Sequence, residues 1–309
     1  DMSYERPHNA MLDYGRLLAV IGIIWFHTKA PGGSIGYSGL AFFLLILIML
    51  ALPQIQHTRA LRHRAPAALR YAAARAQRLL VPWVIASALY GVLKLGEVSQ
   101  GAALDTEFTT VMWITGTASH LWFLPFAFAM CLALWPLGRW LTTLDDTHAL
   151  PLSLGLLACA LAALWANQDS TLSLPFAQWA YALPAVLLGA AFAVMRGQPL
   201  QVLGLAALFI CTALSARWTA GLLQLTLASG ALVVCLLVPL RPSPMSAFAA
   251  RAAFAAYLIH PAVITLLVRS GFVPAQSITL AVATTVISIG IVAIWETMRL
   301  RASFPGAHA

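Results

Sequence analysis

Long apolar runs recur along the chain, separated by short polar breaks. The pattern predicts about ten helices, at roughly 11–29, 37–56, 79–96, 119–138, 150–166, 178–195, 199–214, 220–240, 252–270 and 277–297. Most runs approach the length of about 20 residues that crosses a hydrocarbon core of about 30 Å at 1.5 Å per residue. An all-α, polytopic membrane protein is therefore expected. Composition agrees: 61% of the 309 residues are hydrophobic and 9% charged, where soluble domains carry about 25% charged residues. Mean hydropathy is +0.84. No stretch is polar enough for a separate soluble domain, so residues 1–309 read as one transmembrane domain with short tails.

The polar breaks set an orientation. The segment RALRHRAPAALRYAAARAQR carries Arg59, Arg62, Arg64, Arg70, Arg75 and Arg78, and the positive-inside rule makes it cytoplasmic. Arg6, Arg139, Arg196, Arg241, Arg251, Arg299 and Arg301 then fall on the same side, with Lys29, Lys94, Arg217 and Arg269 opposite. Both termini are expected in the cytoplasm, the chain lying in the plasma (inner) membrane. The net charge of +8 is thus a matter of topology and not of nucleic-acid binding. Cys131, Cys159, Cys211 and Cys235 lie singly in apolar segments, which suggests neither a disulfide framework nor a metal site. The first apolar segment contains Arg16 and no small-residue cleavage site, so it does not read as a cleavable signal peptide. The outer loop EVSQGAALDTEFTT is acidic, and most tryptophans near helix ends read as interfacial anchors. No repeat relates the two halves, which counts against an inverted-repeat transporter.

Candidate chemistry begins with Arg16 and His27. Eleven residues at 100° per residue bring both onto one face of the first helix, about 16 Å apart along its axis. Imidazole titrates near neutrality and can take a proton from an attacking hydroxyl, so His27 reads as a general base or as an interfacial histidine. Arg16 reads as an anion contact or as the helix partner of Asp13 three residues earlier. In AAFAAYLIHPAVITLLV, His260 sits about eight residues into its helix, roughly 12 Å from the inner boundary. Pro261 removes a backbone donor and frees the carbonyl of Tyr257, which suits a cavity wall lined by Tyr257 and His260 or a packing histidine. His120 and Trp122 open the fourth helix in SHLWFLPFAFAM, with Ser119 as a possible cap for that helix. Arg75 and Arg78 run into the third helix at i and i+3, where guanidinium forks suit phosphates. Glu296 reads as a surface partner of Arg299.

Taken together these segments resemble the integral-membrane acyltransferase family 3, whose members typically O-acylate carbohydrates from acyl-CoA. The family's R-x10-H is met by Arg16 and His27, its RxxR by Arg75 and Arg78, its Leu-Trp-Phe-Leu segment by HLWFLP at 120–125, and its Tyr-Leu-x-His-Pro by YLIHP at 257–261. The resemblance reaches from about residue 11 to 297, with the fifth to eighth helices carried by hydropathy alone. There is one departure: many members carry an aspartate before a Phe-Phe pair and a Ser-Gly after it on the second helix. This chain reads GLAFFLLILIM at 39–49, keeping Phe42 and Phe43 with neither the acid nor Ser-Gly. His120 or an outer-loop acid is then left to orient His27.

The resemblance implies cytoplasmic acetyl-CoA as co-substrate, no metal, and a hydroxyl of an extracytoplasmic glycan or lipid-linked sugar as acceptor. Arg75 and Arg78 would hold the nucleotide phosphates, Arg16 the pantetheine or phosphate, and His27 would take the acceptor's proton. A histidine-bound acetyl intermediate is the other chemistry open at this point. Two other readings remain. A small-metabolite or sugar exporter would also place His and Arg inside ten helices, and a catalytically inactive relative could scaffold glycan assembly.

Overall fold

The computed structural model describes residues 9–57, 67–143, 146–168, 171–195, 198–215 and 219–303, and all regular structure among them is helical. In chain order the α-helices are α1 Ala10–His27, α2 Gly33–Gly36, α3 Ser38–His57, α4 Ala67–Ser99, α5 Leu104–Glu107, α6 Met112–Thr115 and α7 Phe123–Ala133. They continue with α8 Trp135–Leu141, α9 Ala149–Ala166, α10 Phe176–Val194, α11 Pro199–Ser215, α12 Ala220–Leu237, α13 Pro244–Arg269 and α14 Ile278–Ser303. Each of the ten expected segments coincides with helix. Among the described residues, eight are long and apolar enough to cross a membrane; the segments in α11 and α12 are shorter apolar helices.

The exterior has the polarity expected of lipid-facing helices. Val81, Ile85, Leu89 and Val92 on α4, and Val286, Ile294 and Trp295 on α14, are exposed large apolar side chains. In water such stripes would be interaction or aggregation surfaces, whereas in a bilayer they face their natural solvent.

Several boundaries differ from the hydropathy pattern, for a shared reason. Helix α4 starts twelve residues before the expected 79 and α13 eight before the expected 252. Both extensions are alanine-rich, and alanine favours helix whether or not the segment enters lipid. The start of α13 is fixed locally: the Ser243 hydroxyl accepts from Ser246 N–H, Ser246 reaches back to Ser243, and Pro244 follows at the first turn. His260 is therefore sixteen residues into its helix. The fourth span starts late instead. Gly116 turns the chain at φ 84°, residues 117–122 form bends and turns, and Trp122, not Ser119, occupies the N-cap position of α7.

The chain forms two compact units, Asp1–Phe43 with Leu222–Ala309, and Leu44–Gly221. In the first unit α1 packs on α13, α14 and α2. Backbone approaches backbone where α1 meets α2 and the start of α3. A Cβ on Gly22 would lie 2.5 Å from the Gly36 carbonyl oxygen, and one on Gly39 would collide with the carbonyl of Ala19. Small residues at these positions are what permit the approach. The opposite face of α1, with Val20, Ile23 and Ile24, is buried. Asn9 caps α1 by accepting from Met11 N–H at 3.0 Å, and its amide donates to the Cys235 carbonyl of α12 at 2.7 Å. In the second unit α4 packs on α7 and α9 on α10, with Tyr71 of α4 lying 4.9 Å from the Trp135 ring.

Candidate functional site

The first unit brings His27 and His260 together. His27 ends α1; the chain then turns through Lys29 at φ 54° and Gly32 at φ 76° to fold α2 back on α1. His260, 0% exposed on α13, places its ring centroid 5.1 Å from that of His27 at an interplanar angle of 47°. The reason it holds its pose is written in the next residue. Pro261 has no N–H for the Tyr257 carbonyl, and His260 Nδ1 takes that carbonyl at 2.8 Å. A carbonyl only accepts, so Nδ1 carries the proton and Nε2 is the basic nitrogen of the neutral ring. Tyr257 lies beside it, with centroids 6.1 Å apart.

Arg16 keeps the partner its spacing allowed: Nη1 donates to Asp13 Oδ1 at 3.0 Å, and Asp13 is buried. The other described carboxylate of this unit, Glu296, is gripped through both oxygens by Arg251 of the neighbouring helix α13. That pairing between helices adds to the charge of Arg299 on the same helix, which also acts on Glu296. Asp13 lies fourteen residues before His27, about 21 Å along the axis. Among the described residues of this unit, then, the His260 imidazole touches His27, and the two carboxylates are engaged by Arg16 and Arg251. A cavity of about 700 Å³ runs along the far face of α1, lined by Tyr14, Leu18, Gly22 and Trp25 with Phe42 and Ala231 among others. Neither Arg16 nor His27 lines it. His27, on the face it shares with Arg16, meets α13 through His260.

The second unit holds the other candidates. Arg75, buried on α4, donates to the side-chain oxygen of Gln54 and sits 5.0 Å over the Tyr71 ring. Tyr71 in turn donates to the Cys131 carbonyl at 3.4 Å. Arg78, one turn on, is exposed; the two arginines of the RxxR pattern thus have different surroundings. A guanidinium has five N–H donors, of which Gln54 engages one. Arg59, Arg62 and Arg64 lie outside the described residues. His120 is buried edge-on against Tyr90 at 5.3 Å, and Trp122 is buried in an aromatic chain with Phe126 and Trp179. The acidic loop after α4 contributes Glu107, paired with Lys94 at 2.8 Å.

Sequence reasoning missed Gln54 and Tyr71. The signal available was an amide near the end of the apolar α3 and an aromatic one turn before Arg75, and neither spacing is distinctive without the fold. Among the described residues no group of three or more His, Cys, Asp or Glu is placed to hold a metal ion.

A family model described as an acyltransferase domain matches residues 9–295 and so covers most of both units. Neither a curated relative nor a solved structure matches the chain.

Proposed function

The chain belongs to the integral-membrane acyltransferase family 3, and on that premise we propose that it O-acetylates an extracytoplasmic glycan or lipid-linked sugar from cytoplasmic acetyl-CoA. In this reading both termini face the cytoplasm and the protein resides in the plasma (inner) membrane, as the arginine distribution supports. His27 is the general base for the acceptor hydroxyl. His260, its tautomer set by the Tyr257 carbonyl, braces the His27 ring in place of the absent second-helix aspartate. Tyr257 lines the substrate pocket beside His27, and His120 and Trp122 are assigned to substrate contact from their sequence motif. Arg75 and Arg78 bind the anionic end of the donor, and Arg16 contacts its phosphate or pantetheine. The reaction is direct transfer: the hydroxyl oxygen bonds to the thioester carbon as His27 takes its proton, and the sulfur leaves with that proton.

The observation that carries this reading is the contact between His27 and a buried histidine whose protonated nitrogen is assigned. It offers a proton-accepting group inside an apolar helix junction, where a polar side chain is costly unless it has a use. The test is transfer of labelled acetyl from acetyl-CoA to glycan in membranes containing the protein. His27→Ala should abolish transfer at unchanged expression, and retained transfer would overturn the assignment. Coenzyme A should also stabilise the purified protein thermally, by about 2.7 kcal/mol at a hundredfold excess over Kd. An unrelated exporter would show no such shift.

A further inference from the structure

Among the hydroxyls of helix α14, four fall into two kinds by their hydrogen bonding. Thr285 donates to the Ala281 carbonyl at 2.8 Å and Thr297 to the Ala293 carbonyl at 2.8 Å. This backward bond is the usual way a helix satisfies a threonine in apolar surroundings. Thr284 and Ser288 lack it. Both are 0% exposed, and neither hydroxyl has a hydrogen-bond partner among the described residues. Each had a carbonyl four residues back within reach, so a local solution existed and was not taken. A buried hydroxyl left without a partner costs about 1–3 kcal/mol.

Their position gives that cost a use. Thr284 and Ser288 stand one turn apart on the buried stripe of α14, with Leu280, Ala281 and Val292, and α14 packs against α13 and α1. Helices α13 and α14 are joined by residues 270–277. Counted from that connection, His260 lies nine residues back along α13, about 14 Å, and Ser288 ten residues along α14, about 15 Å. Thr284 is one turn nearer the connection. Ser288 thus shares a depth with the imidazole that touches His27, and Thr284 lies within one turn of it, on a helix that packs against both α13 and α1.

We propose that Thr284 and Ser288 donate hydrogen bonds to the carbonyl oxygen of the acyl thioester as it becomes an oxyanion. The inference rests on the acyl-transfer reading above. As the acceptor oxygen bonds to the thioester carbon, the carbonyl π pair moves onto oxygen and the acceptor's proton passes to His27. The two hydroxyls stabilise the charge so formed. Collapse restores the carbonyl, breaks the C–S bond, and the sulfur departs with the proton from His27. Preorganised donors aimed at developing charge, in a site without water, are among the strongest contributions to acyl transfer.

The experiment compares Thr284→Val, Ser288→Ala, Thr284→Ser and Thr285→Val in membranes, with labelled acetyl-CoA as donor and coenzyme A as the binding probe. Thr284→Val and Ser288→Ala should each lower kcat by about 100-fold with KM for acetyl-CoA unchanged. Coenzyme A, which has no acyl carbonyl, should stabilise both variants as it does the unmodified protein. Thr284→Ser keeps the donor and should stay within a few-fold, and Thr285→Val, one position away with its bond spent on Ala281, should match the unmodified protein. Full activity in Thr284→Val and Ser288→Ala would overturn the proposal. So would a rise in KM alone, or a loss equal to that of Thr285→Val. Absence of transfer by the unmodified protein, or retained transfer in His27→Ala, would instead overturn the underlying reading.

Discussion

The junction of α1, α13 and α14 and the cluster around Arg75 are both polar islands in apolar helices, built from opposite materials. In the first, two imidazole rings meet, His27 against His260, with the buried hydroxyls of Thr284 and Ser288 on the neighbouring helix. In the second, a permanent cation is held by neutral partners, the Gln54 amide and the Tyr71 ring. An imidazole can lie buried neutral and gain a proton when chemistry supplies one. A guanidinium is always charged, so burying it requires acceptors and an aromatic face from the start. The difference teaches a division of labour: one island is suited to move protons, the other to meet fixed negative charge.

The sharpest way to break that division is to remove the centre of each island and follow kcat and KM separately. His27→Ala should lower kcat by about 100- to 10,000-fold, the range of general base catalysis, and leave KM for acetyl-CoA unchanged. Arg75→Lys should do the reverse, raising that KM about 10- to 100-fold as charge-assisted bonds lose their fork geometry. Steady-state transfer in membranes, normalised to protein, reads both. A kcat effect from Arg75→Lys without a KM effect would collapse the two islands into one function.

The sequence made part of this legible and hid part. Span positions were visible because hydropathy reports lipid contact, and all ten apolar segments hold helix. Helix length was not visible from it: the alanine-rich starts of α4 and α13 are helical through propensity and capping, independent of the bilayer. The role of Pro261 in freeing the Tyr257 carbonyl was legible because it depends only on the i to i−4 rule. That His260 would take the carbonyl and also meet His27 needed two helices to be packed. Thr284 and Ser288 were invisible in principle. In sequence they are indistinguishable from Thr285 and Thr297, and only the direction of each hydroxyl separates them.

Two changes of intermediate size sharpen the comparison. Gln54→Leu removes the acceptor beside Arg75 while keeping the guanidinium. KM for acetyl-CoA should rise about 3- to 10-fold, below the effect of Arg75→Lys, since a neutral acceptor contributes about 0.5–1.5 kcal/mol. Pro261→Ala acts on the other island with opposite signs for stability and rate. It restores an N–H to the Tyr257 carbonyl and so competes with His260 Nδ1. Thermal stability should rise as the helix regains its bond, while kcat falls about 2- to 10-fold as the His260 tautomer loosens. Equal activity with higher stability would show that this carbonyl does not position His260.

The smallest expected effect tests how the α13 and α14 seam keeps its register. Arg251 grips Glu296 through Nε and Nη2, nine residues before His260 on α13 and eight after Ser288 on α14. The pair thus clamps the seam about 12–14 Å from the polar groups. It is also exposed on the arginine side, with 57% of the Arg251 side chain accessible, and exposed ion pairs contribute about 0.2–1 kcal/mol and weaken with salt. Between the clamp and His260, α13 buries Ala252, Ala253 and Ala256, and small residues let helices approach closely enough to hold themselves. Arg251→Ala should therefore lower thermal stability slightly, more at low ionic strength than at high, and leave kcat and both KM values unchanged. A loss of kcat in this variant would mean that packing alone does not keep the α13 and α14 seam in register. The proton-moving island would then depend on a charge, as the Arg75 island does.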